Sequence, residues 1–339
     1  MAKHIVTLVL FAHLLFLGLG IVRAQDPATI HAAKNEGEVS YYTGKNLATM
    51  RKVASAFENK YPFLKVNITR TSGEQIINKI QTEKLAGKIL FDVVSASPVP
   101  LLEPLNLIKP YCSPEAKVFP AAFRHPQCLW SAIVGNHYVL MYNTNLVSKV
   151  DTPRDWGDLL NSKWRGEKIS IDPEEFSWLA GMEAYLGEEK TRSLMTGLAK
   201  QGVRWQKSQQ NIAQLLAAGE FPLGLGYATR TTVIRATGAP INWVRTTKPI
   251  VVDAHNVAMS AQPPHPNAAK LWIDFLLSYD GQKVLYENNE SVIRPGVMPP
   301  TSPLSSVDLE LSPVPVKIFA PSTFKQYQSK FEEYFGARR

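Results

Sequence analysis

The chain has only two cysteines, and it lacks the short motifs that mark the common enzyme classes. It contains no phosphate-binding loop, no dinucleotide-binding glycine pattern, no His-Glu-x-x-His pair and no Gly-x-Ser-x-Gly elbow. Its histidines stand apart from one another in the sequence, which favours structural roles over metal binding. The sequence therefore offers little support for an enzyme.

Only one long apolar run occurs, and it lies at the start of the chain. A short basic start precedes the apolar run Ile5 to Val22, and Val22-Arg23-Ala24 has the pattern of a cleavage site. We expect residues 1–24 to be a secretory signal peptide and the rest to be a soluble periplasmic chain. The alternative is an N-terminal membrane anchor, because the run is almost long enough to span a bilayer.

The chain also lacks a dense run of lysine or arginine, although its net charge is +8. Removal of Lys3 and Arg23 with the signal peptide lowers that charge to +6. A modest excess of positive charge, dispersed along the chain, argues against nucleic acid as a partner and slightly favours an acidic ligand. A basic protein with no charged partner explains it equally well.

The two cysteines, Cys112 and Cys128, flank a proline-containing segment of an exported chain. A disulfide between them is the simpler interpretation, and two separate buried thiols are the alternative. The mature chain is long enough for two domains of ordinary size.

The stretch from Val39 to Val66 predicts one right-handed βαβ unit. Val39 to Tyr42 reads as a strand, and Leu47 to Tyr61 has apolar residues at helical spacing. Pro62 ends that helix, and Phe63 to Ile68 reads as the next strand. The free N–H groups at such a helix start form a site for an anion or a polar ligand. We therefore expect the turn Thr43 to Asn46 to contact the ligand.

Strands and helices alternate along the rest of the chain, which predicts parallel sheets covered on both faces. The β-rich run Trp130 to Asn143 is either two strands or one long strand that passes between domains. Alternation restarts at Ile169 to Ile171, and later strands bring the chain back to the first domain. The expected division is a first lobe over residues 25–140, a second over 141–252, and a return to the first lobe plus C-terminal helices over 253–339.

Five polar turns follow the predicted strands. Because the carboxyl ends of parallel strands meet at one edge, where ligands bind, two facing sheets would place these turns along an interdomain cleft. The acids Asp172, Glu174 and Glu175, in and just before the fourth turn, are explained as partners of a helix dipole. The turns are Thr43 to Asn46, Ser72 to Gln75, Ser95 to Ser97, Pro173 to Ser177 and Tyr227 to Thr231.

Several stretches, in the same order as in a known family, span nearly the whole mature chain. The chain resembles the periplasmic solute-binding proteins of bacterial ABC importers, in the group of ferric-ion, phosphoglycerate, sugar-phosphate and thiamine binders. The matching stretches are Val39 to Thr43, Phe91 to Val94, Pro153 to Leu160, Lys163 to Gly166, Gly219 to Gly224, His265 to Ala269, Phe275 to Ser278 and Gly281-Gln282.

The resemblance implies a type II periplasmic binding fold, with two α/β lobes, mixed central sheets and crossover hinge strands. It implies a monomer that has no cofactor or catalytic activity, closes on a solute by hinge motion and delivers it to an ABC permease in the inner membrane. An enzyme on the same fold, similar to thiaminase and using a cysteine nucleophile, is the alternative from another class.

Ferric binders of this group hold iron with two adjacent tyrosines, a histidine and a glutamate. The tyrosine positions fall on Thr229-Arg230, the histidine position near Lys45-Asn46 and the glutamate position near Ser97. Lysine and arginine repel Fe(III), whereas Arg230 suits a phosphate or carboxylate, so we expect a small anionic solute. Ferric iron held by Tyr227 as a single phenolate is the alternative.

The predicted ligand-binding side chains combine two cations with hydroxyl, amide and phenol groups. For Lys45 and Arg230 the alternative is an ordinary solvated surface position. The full set is Thr43, Lys45, Asn46, Ser72, Ser97, Ser177, Tyr227, Thr229 and Arg230.

Overall fold

A computed structural model describes residues 26–305 and 308–336 of the chain. The predicted signal peptide, residues 1–24, lies outside the described residues. Within them, no helix is long and apolar enough to cross a membrane. The strands are β1 (Glu38–Thr43), β2 (Lys65–Arg70), β3 (Val93–Ala96), β4 (Ile108–Lys109), β5 (Ser131–Asn143), β6 (Ile169–Ile171), β7 (Arg204–Trp205), β8 (Leu223–Tyr227), β9 (Ile241–Trp243), β10 (Ile250–Ser260) and β11 (Leu311–Pro313).

Helices cover both faces of the sheet. Short 3₁₀ helices span Val99–Leu102, Pro114–Val118, Ala121–Phe123, Trp156–Leu160, Ser162–Trp164 and Val316–Phe319. The α-helices are α1 (Pro27–Glu36), α2 (Leu47–Lys60), α3 (Gly73–Leu85), α4 (Phe176–Leu186), α5 (Glu188–Gln201), α6 (Gln209–Ala218), α7 (Ala228–Arg235), α8 (Pro266–Leu277), α9 (Tyr279–Glu287) and α10 (Pro321–Phe335).

The predicted βαβ unit is present. β1 and β2 are parallel, with Tyr41 opposite Ile68, and α2 connects them. Asn46 caps α2, and the helix buries a stripe that includes Met50, Val53 and Phe57, as its helical spacing predicts. The first lobe is therefore built from a strand, a polar turn and a helix, in the order that the sequence indicates.

Two long strands connect the two halves of the sheet. The strand order is β2-β1-β3-β10-β5-β8-β6-β7, so β10 and β5 lie between the strands of the two lobes. They are antiparallel, and Asp253 lies opposite Asn136 near their middle. The run Trp130 to Asn143 is thus one strand of 13 residues, the longer of the two forms that the sequence allows.

Three groups of buried side chains form the core. The largest contains Phe57 and Trp272 from the first lobe and Ile212 and Leu216 from the second, and it runs along the hinge strands through residues such as Val139. A second group lies in the second lobe, and a third lies beneath α3. In the second group, Phe331 of α10 packs against Phe176, so the last helix belongs to the second lobe. The residue boundaries of the lobes stay a prediction.

Several local predictions need correction. The apolar run Ile89 to Val94 predicts a strand, but β3 lies at Val93–Ala96, and its parallel pairing with β1 begins with Val93 opposite Tyr41. Leu85 continues the apolar spacing of α3, which predicts a buried position, but it is 89% exposed. His265-Pro266-Asn267 has the sequence pattern of a helix cap, but neither His265 nor Asn267 caps α8. Instead, the carboxylate of Glu36 accepts hydrogen bonds from the backbone N–H groups of Asn267 and Ala268.

Candidate functional site

Two tyrosines and a glutamate meet where the hinge joins the second lobe. Tyr138 lies on β5, Tyr227 ends β8, and Glu175 immediately precedes α4. The Tyr227 hydroxyl donates to the Tyr138 hydroxyl at 3.2 Å, and the two ring centroids are 4.9 Å apart. Glu175 is buried, with 5% of its surface exposed. We call Tyr138, Tyr227, Glu175 and Asp253 the hinge cluster.

Burial and mutual repulsion govern protonation in the hinge cluster. Burial, reinforced by the negative charge of Asp172, raises the pKa of Glu175 well above its ordinary value. Burial also raises the pKa values of Tyr138 and Tyr227, and the charges of Glu175 and Asp253 raise them further. Glu175, Tyr138 and Tyr227 therefore favour their neutral forms unless a ligand brings compensating positive charge or hydrogen-bond donors.

Asp253 contributes to the cluster from the first-lobe side, on hinge strand β10. Burial raises the pKa of Asp253 to about 6, against the opposing effects of Ser97, Lys45 and Asn136. Among the described residues, its buried Oδ1 atom has no hydrogen-bond partner. A buried acceptor without a partner costs free energy, and a hydrogen-bond donor that reached it would remove that cost.

The turns after β1, β2 and β3 come together at one edge, as the sequence predicts. A Cβ at Gly44 would lie 3.3 Å from Cε1 of His255, 3.7 Å from the backbone nitrogen of Gly73 and 3.8 Å from Cβ of Ala96. The backbone N–H of Gly44 donates to the carbonyl of Ser95 at 2.9 Å. A Cβ at Gly44 would therefore fit only if the ring of His255 moved by a few tenths of an ångström.

The side chain of Thr43 is fully buried and forms its hydrogen bond inside the first lobe. Its hydroxyl is 2.9 Å from that of Ser95, which also hydrogen-bonds Tyr41 and lies 3.2 Å from Nε2 of His255. Burial, reinforced by the charge of Lys45, lowers the pKa of His255 well below its ordinary value, which favours the neutral ring. This network fixes the shape of the turn, and a direct contact of the Thr43 side chain with a solute stays a prediction.

Lys45 has an internal partner. Its Nζ atom is 2.7 Å from Oε2 of Glu290, and the two side chains are only 13% and 14% exposed. The charge predicted to attract an anion is therefore largely neutralised by Glu290.

Two other predicted residues serve as helix caps. Asn46 Oδ1 accepts from the backbone N–H groups of Ala48 and Thr49, and Ser72 forms a reciprocal capping box with Gln75. Both residues are exposed, but their side chains already have partners. Their contact with a solute also stays a prediction.

The remaining predicted residues lie around the hinge cluster. Ser97 follows β3 and influences Asp253, as described above. Ser177 is the second residue of α4, close in sequence to Glu175. Thr229 and Arg230 lie in the first turn of α7, directly after Tyr227, where Thr229 is half-buried and Arg230 is exposed.

Sequence reasoning did not identify three members of the cluster. Tyr138 lies within a long β-rich run, Asp253 lies on a hinge strand, and Glu175 reads as an ordinary acid near a helix start. The sequence contains one local indication of the site: Glu175 lies in a polar turn that follows a predicted strand. Their association depends on the pairing of β5 with β8 and β10.

The two cysteines form a disulfide between Cys112 and Cys128, as predicted. Because the chain has no other cysteine, the cysteine-nucleophile alternative has no free thiol to act through.

Comparison with known proteins identifies relatives of similar length. A major ferric iron-binding protein of Neisseria gonorrhoeae is 22% identical over 313 residues, covering 85% of this chain and 92% of the relative. A ferric binding protein of Bordetella has a TM-score of 0.74 at 24% identity, covering 88% of this chain and all of the other. The periplasmic binding protein AfuA of Actinobacillus pleuropneumoniae, bound to fructose-6-phosphate, has a TM-score of 0.68 at 23% identity. The match covers 89% of this chain and 99% of AfuA.

These structural likenesses establish the type II periplasmic binding fold, which was expected from the sequence. A family model for bacterial extracellular solute-binding proteins matches residues 52–297. The chain therefore belongs to the bacterial extracellular solute-binding protein family and is a solute-binding component of an ABC transporter.

Proposed function

We propose that this protein captures a small hydroxylated anion between its lobes and delivers it to an ABC permease of the inner membrane. The observation that carries the proposal is the hinge cluster, where polar groups of both lobes meet at the middle of the hinge strands. Oδ1 of Asp253, which has no hydrogen-bond partner among the described residues, suits a hydroxyl group of a solute that donates a hydrogen bond to it.

The anionic part of such a solute needs positive charge, and Arg230 is the candidate. Lys45 is paired with Glu290, whereas Arg230 lies exposed three residues after Tyr227. Its guanidinium can bind a phosphate or carboxylate with two parallel hydrogen bonds. A sugar phosphate or a hydroxylated carboxylate has both kinds of group.

Calorimetric titration of the mature protein with organic phosphates and hydroxy-carboxylates tests this assignment. We expect Arg230→Ala to weaken binding by about 10- to 100-fold, the loss typical of a charged hydrogen bond. The matched control is Arg235→Ala on the same helix, whose guanidinium donates to Asn242 at 3.0 Å. Unchanged affinity of Arg230→Ala for every anion that the wild type binds would remove Arg230 from the site.

Ferric iron is a second candidate because the cluster contains two phenols rather than one. Two phenolates with the carboxylates of Glu175 and Asp253 would form the hard, anionic oxygen set that Fe(III) prefers. Among the described residues, no three histidine, cysteine or acidic side chains are grouped to hold a metal, so both tyrosines are essential to this proposal. Iron binding would displace the phenol protons, whose pKa values burial raises.

Tyrosinate bound to Fe(III) absorbs visible light, so adding ferric citrate to the mature protein tests the ferric proposal. We expect a visible band that Tyr138→Phe and Tyr227→Phe each abolish. Tyr142→Phe is the matched control, since Tyr142 lies on the same strand and its hydroxyl bonds Asn242. A colourless protein, or a band unaffected by both cluster substitutions, would exclude iron at this site.

A further inference from the structure

A nearly buried ion pair lies at the first-lobe side of the hinge cluster. Nζ of Lys45 is 2.7 Å from Oε2 of Glu290, and the two side chains are 13% and 14% exposed. The positive charge of Lys45 also acts on two residues of hinge strand β10, where it favours the ionised form of Asp253 and the neutral form of His255. The pair is therefore close enough to the hinge cluster to influence a solute that binds there.

Backbone hydrogen bonds hold both members of the pair in place. The backbone N–H of Lys45 donates to the hydroxyl of Thr43 at 3.1 Å. The backbone N–H of Glu290 donates to a backbone carbonyl of α9 at 3.1 Å. The next residue, Ser291, accepts at its carbonyl from the N–H of Gly135 on hinge strand β5 at 2.9 Å. The contact between the two charges is thus built into the fold on both sides.

Stability alone does not account for this pair. Moving two charges out of water costs free energy that their attraction barely recovers, so a buried ion pair is often no more stable than apolar side chains of similar size. An exposed pair avoids that cost, as Lys283 and Glu287 do on α9, where each side chain is 56% exposed. The place of Lys45 and Glu290 beside the hinge cluster points instead to control of the charge that a solute meets.

We propose that Glu290 is a specificity-determining residue, which neutralises Lys45 so that the anionic group of the solute binds at Arg230 and not at the first lobe. This inference rests on the proposed capture of an anion. The charges of Lys45, Glu290 and Asp253 give the first-lobe side no net positive charge, so a second anionic group there would meet no net attraction. The site therefore selects a solute that is anionic at one end and neutral and hydroxylated at the other.

Loss of the Glu290 carboxylate should make Lys45 available to an anion. In ¹H–¹³C NMR of the lysine Cε groups of the mature protein, Lys45→Met, made in each background, identifies the signal of Lys45. We expect millimolar inorganic phosphate to move this signal in Glu290→Gln and to leave it in place in the wild type. The matched control is Glu287→Gln, which removes the exposed partner of Lys283 and should leave the Lys45 signal unresponsive to phosphate.

Calorimetry with two solutes that differ only at one end tests the specificity itself. Glycerol 3-phosphate has a neutral hydroxymethyl group where 3-phosphoglycerate has a carboxylate. We expect the wild type to bind glycerol 3-phosphate more tightly, and Glu290→Gln to shift the ratio of the two affinities about tenfold towards 3-phosphoglycerate, the effect of one charged hydrogen bond. Glu290→Asp keeps the carboxylate and should keep the wild-type preference. A residue with a purely structural role would change both affinities equally and leave their ratio unchanged.

The outcomes separate this inference from the proposed function. The inference is wrong if phosphate moves the Lys45 signal equally in the wild type and in Glu290→Gln, if it moves the signal in neither, or if the wild type prefers 3-phosphoglycerate. The wild-type preference needs no substitution, so it decides the question even if Glu290→Gln does not fold. If Arg230→Ala binds every anion as the wild type does, the proposed function loses Arg230. A Lys45 signal that responds to phosphate only in Glu290→Gln would still show that Glu290 keeps anions from Lys45.

Discussion

Burial of a titratable side chain in the hinge cluster lowers the stability of the folded protein when that side chain is charged. Burial disfavours the charged form of Asp253 and raises its pKa to about 6, above the usual value of about 3.9. Between those two pH values the folded protein holds a proton that the unfolded chain has already released. The contribution of Asp253 to stability therefore falls as pH rises through this window and stays low above it.

Replacing this acid with its neutral isostere should remove that cost. We expect Asp253→Asn to be about 3 kcal/mol more stable than the wild type at neutral pH and no more stable at about pH 4. Urea unfolding at the two pH values measures the difference. The control is Glu189→Gln on the exposed surface of α5, and an equal effect of the two substitutions at neutral pH would contradict the assignment.

For individual residues, the sequence predicts the position in a helix or turn but not the contacts of the side chain. Asn46 and Ser72 were identified correctly as polar residues at helix starts, since local spacing is enough to place them there. Whether such a side chain faces a ligand or caps its own helix depends on geometry, and here both cap. Glu175 and Asp253 are 78 positions apart, and only the hinge strands bring them together.

At the scale of elements, the sequence predicts the interiors of helices and strands better than their ends. β1 and α2 lie where the sequence places them: β1 is predicted from its β-branched and aromatic residues, and α2 from apolar residues at helical spacing. β3 starts four residues later than expected, since its limits are set by the neighbours β1 and β10. Ile89 and Leu90 are apolar like the residues of the strand, so the sequence alone does not show that they lie outside β3.

One helix cap comes from a distant element, which sequence reasoning does not predict. The carboxylate of Glu36, at the end of α1, accepts hydrogen bonds from Asn267 and Ala268 at 2.7–3.1 Å. Its negative charge also opposes the positive end of the α8 dipole. α1 therefore stabilises the helix that carries Trp272 into the main core.

Removal of this cap should destabilise the protein by more than an ordinary surface change. We expect Glu36→Ala to lower the free energy of unfolding by about 1–2 kcal/mol, because backbone donors of α8 lose a charged acceptor. Urea unfolding measures the loss. The exposed Glu189→Ala is the control, and a Glu36→Ala protein as stable as that control would show that the cap contributes nothing.

At the scale of the molecule, the largest of the three buried groups contains residues of both lobes. Phe57 and Trp272 of the first lobe belong to the same buried group as Ile212 and Leu216 of the second, and the hinge strands connect them. Separate lobes with independent cores would unfold in separate steps, whereas a shared core couples them. The hinge motion implied by the fold must therefore bend β5 and β10 without opening this group.

Calorimetry can test that coupling through a residue remote from the hinge. Phe331 of α10 is fully buried in the second lobe, and its replacement by alanine should cost about 3–5 kcal/mol. We expect the wild type to unfold in one transition, and Phe331→Ala to shift that whole transition to lower temperature. Phe324→Ala, on the same helix at a position 41% exposed, should shift it much less. A Phe331→Ala profile that splits into two peaks, with only one displaced, would show that the lobes unfold independently and that the hinge strands do not couple them.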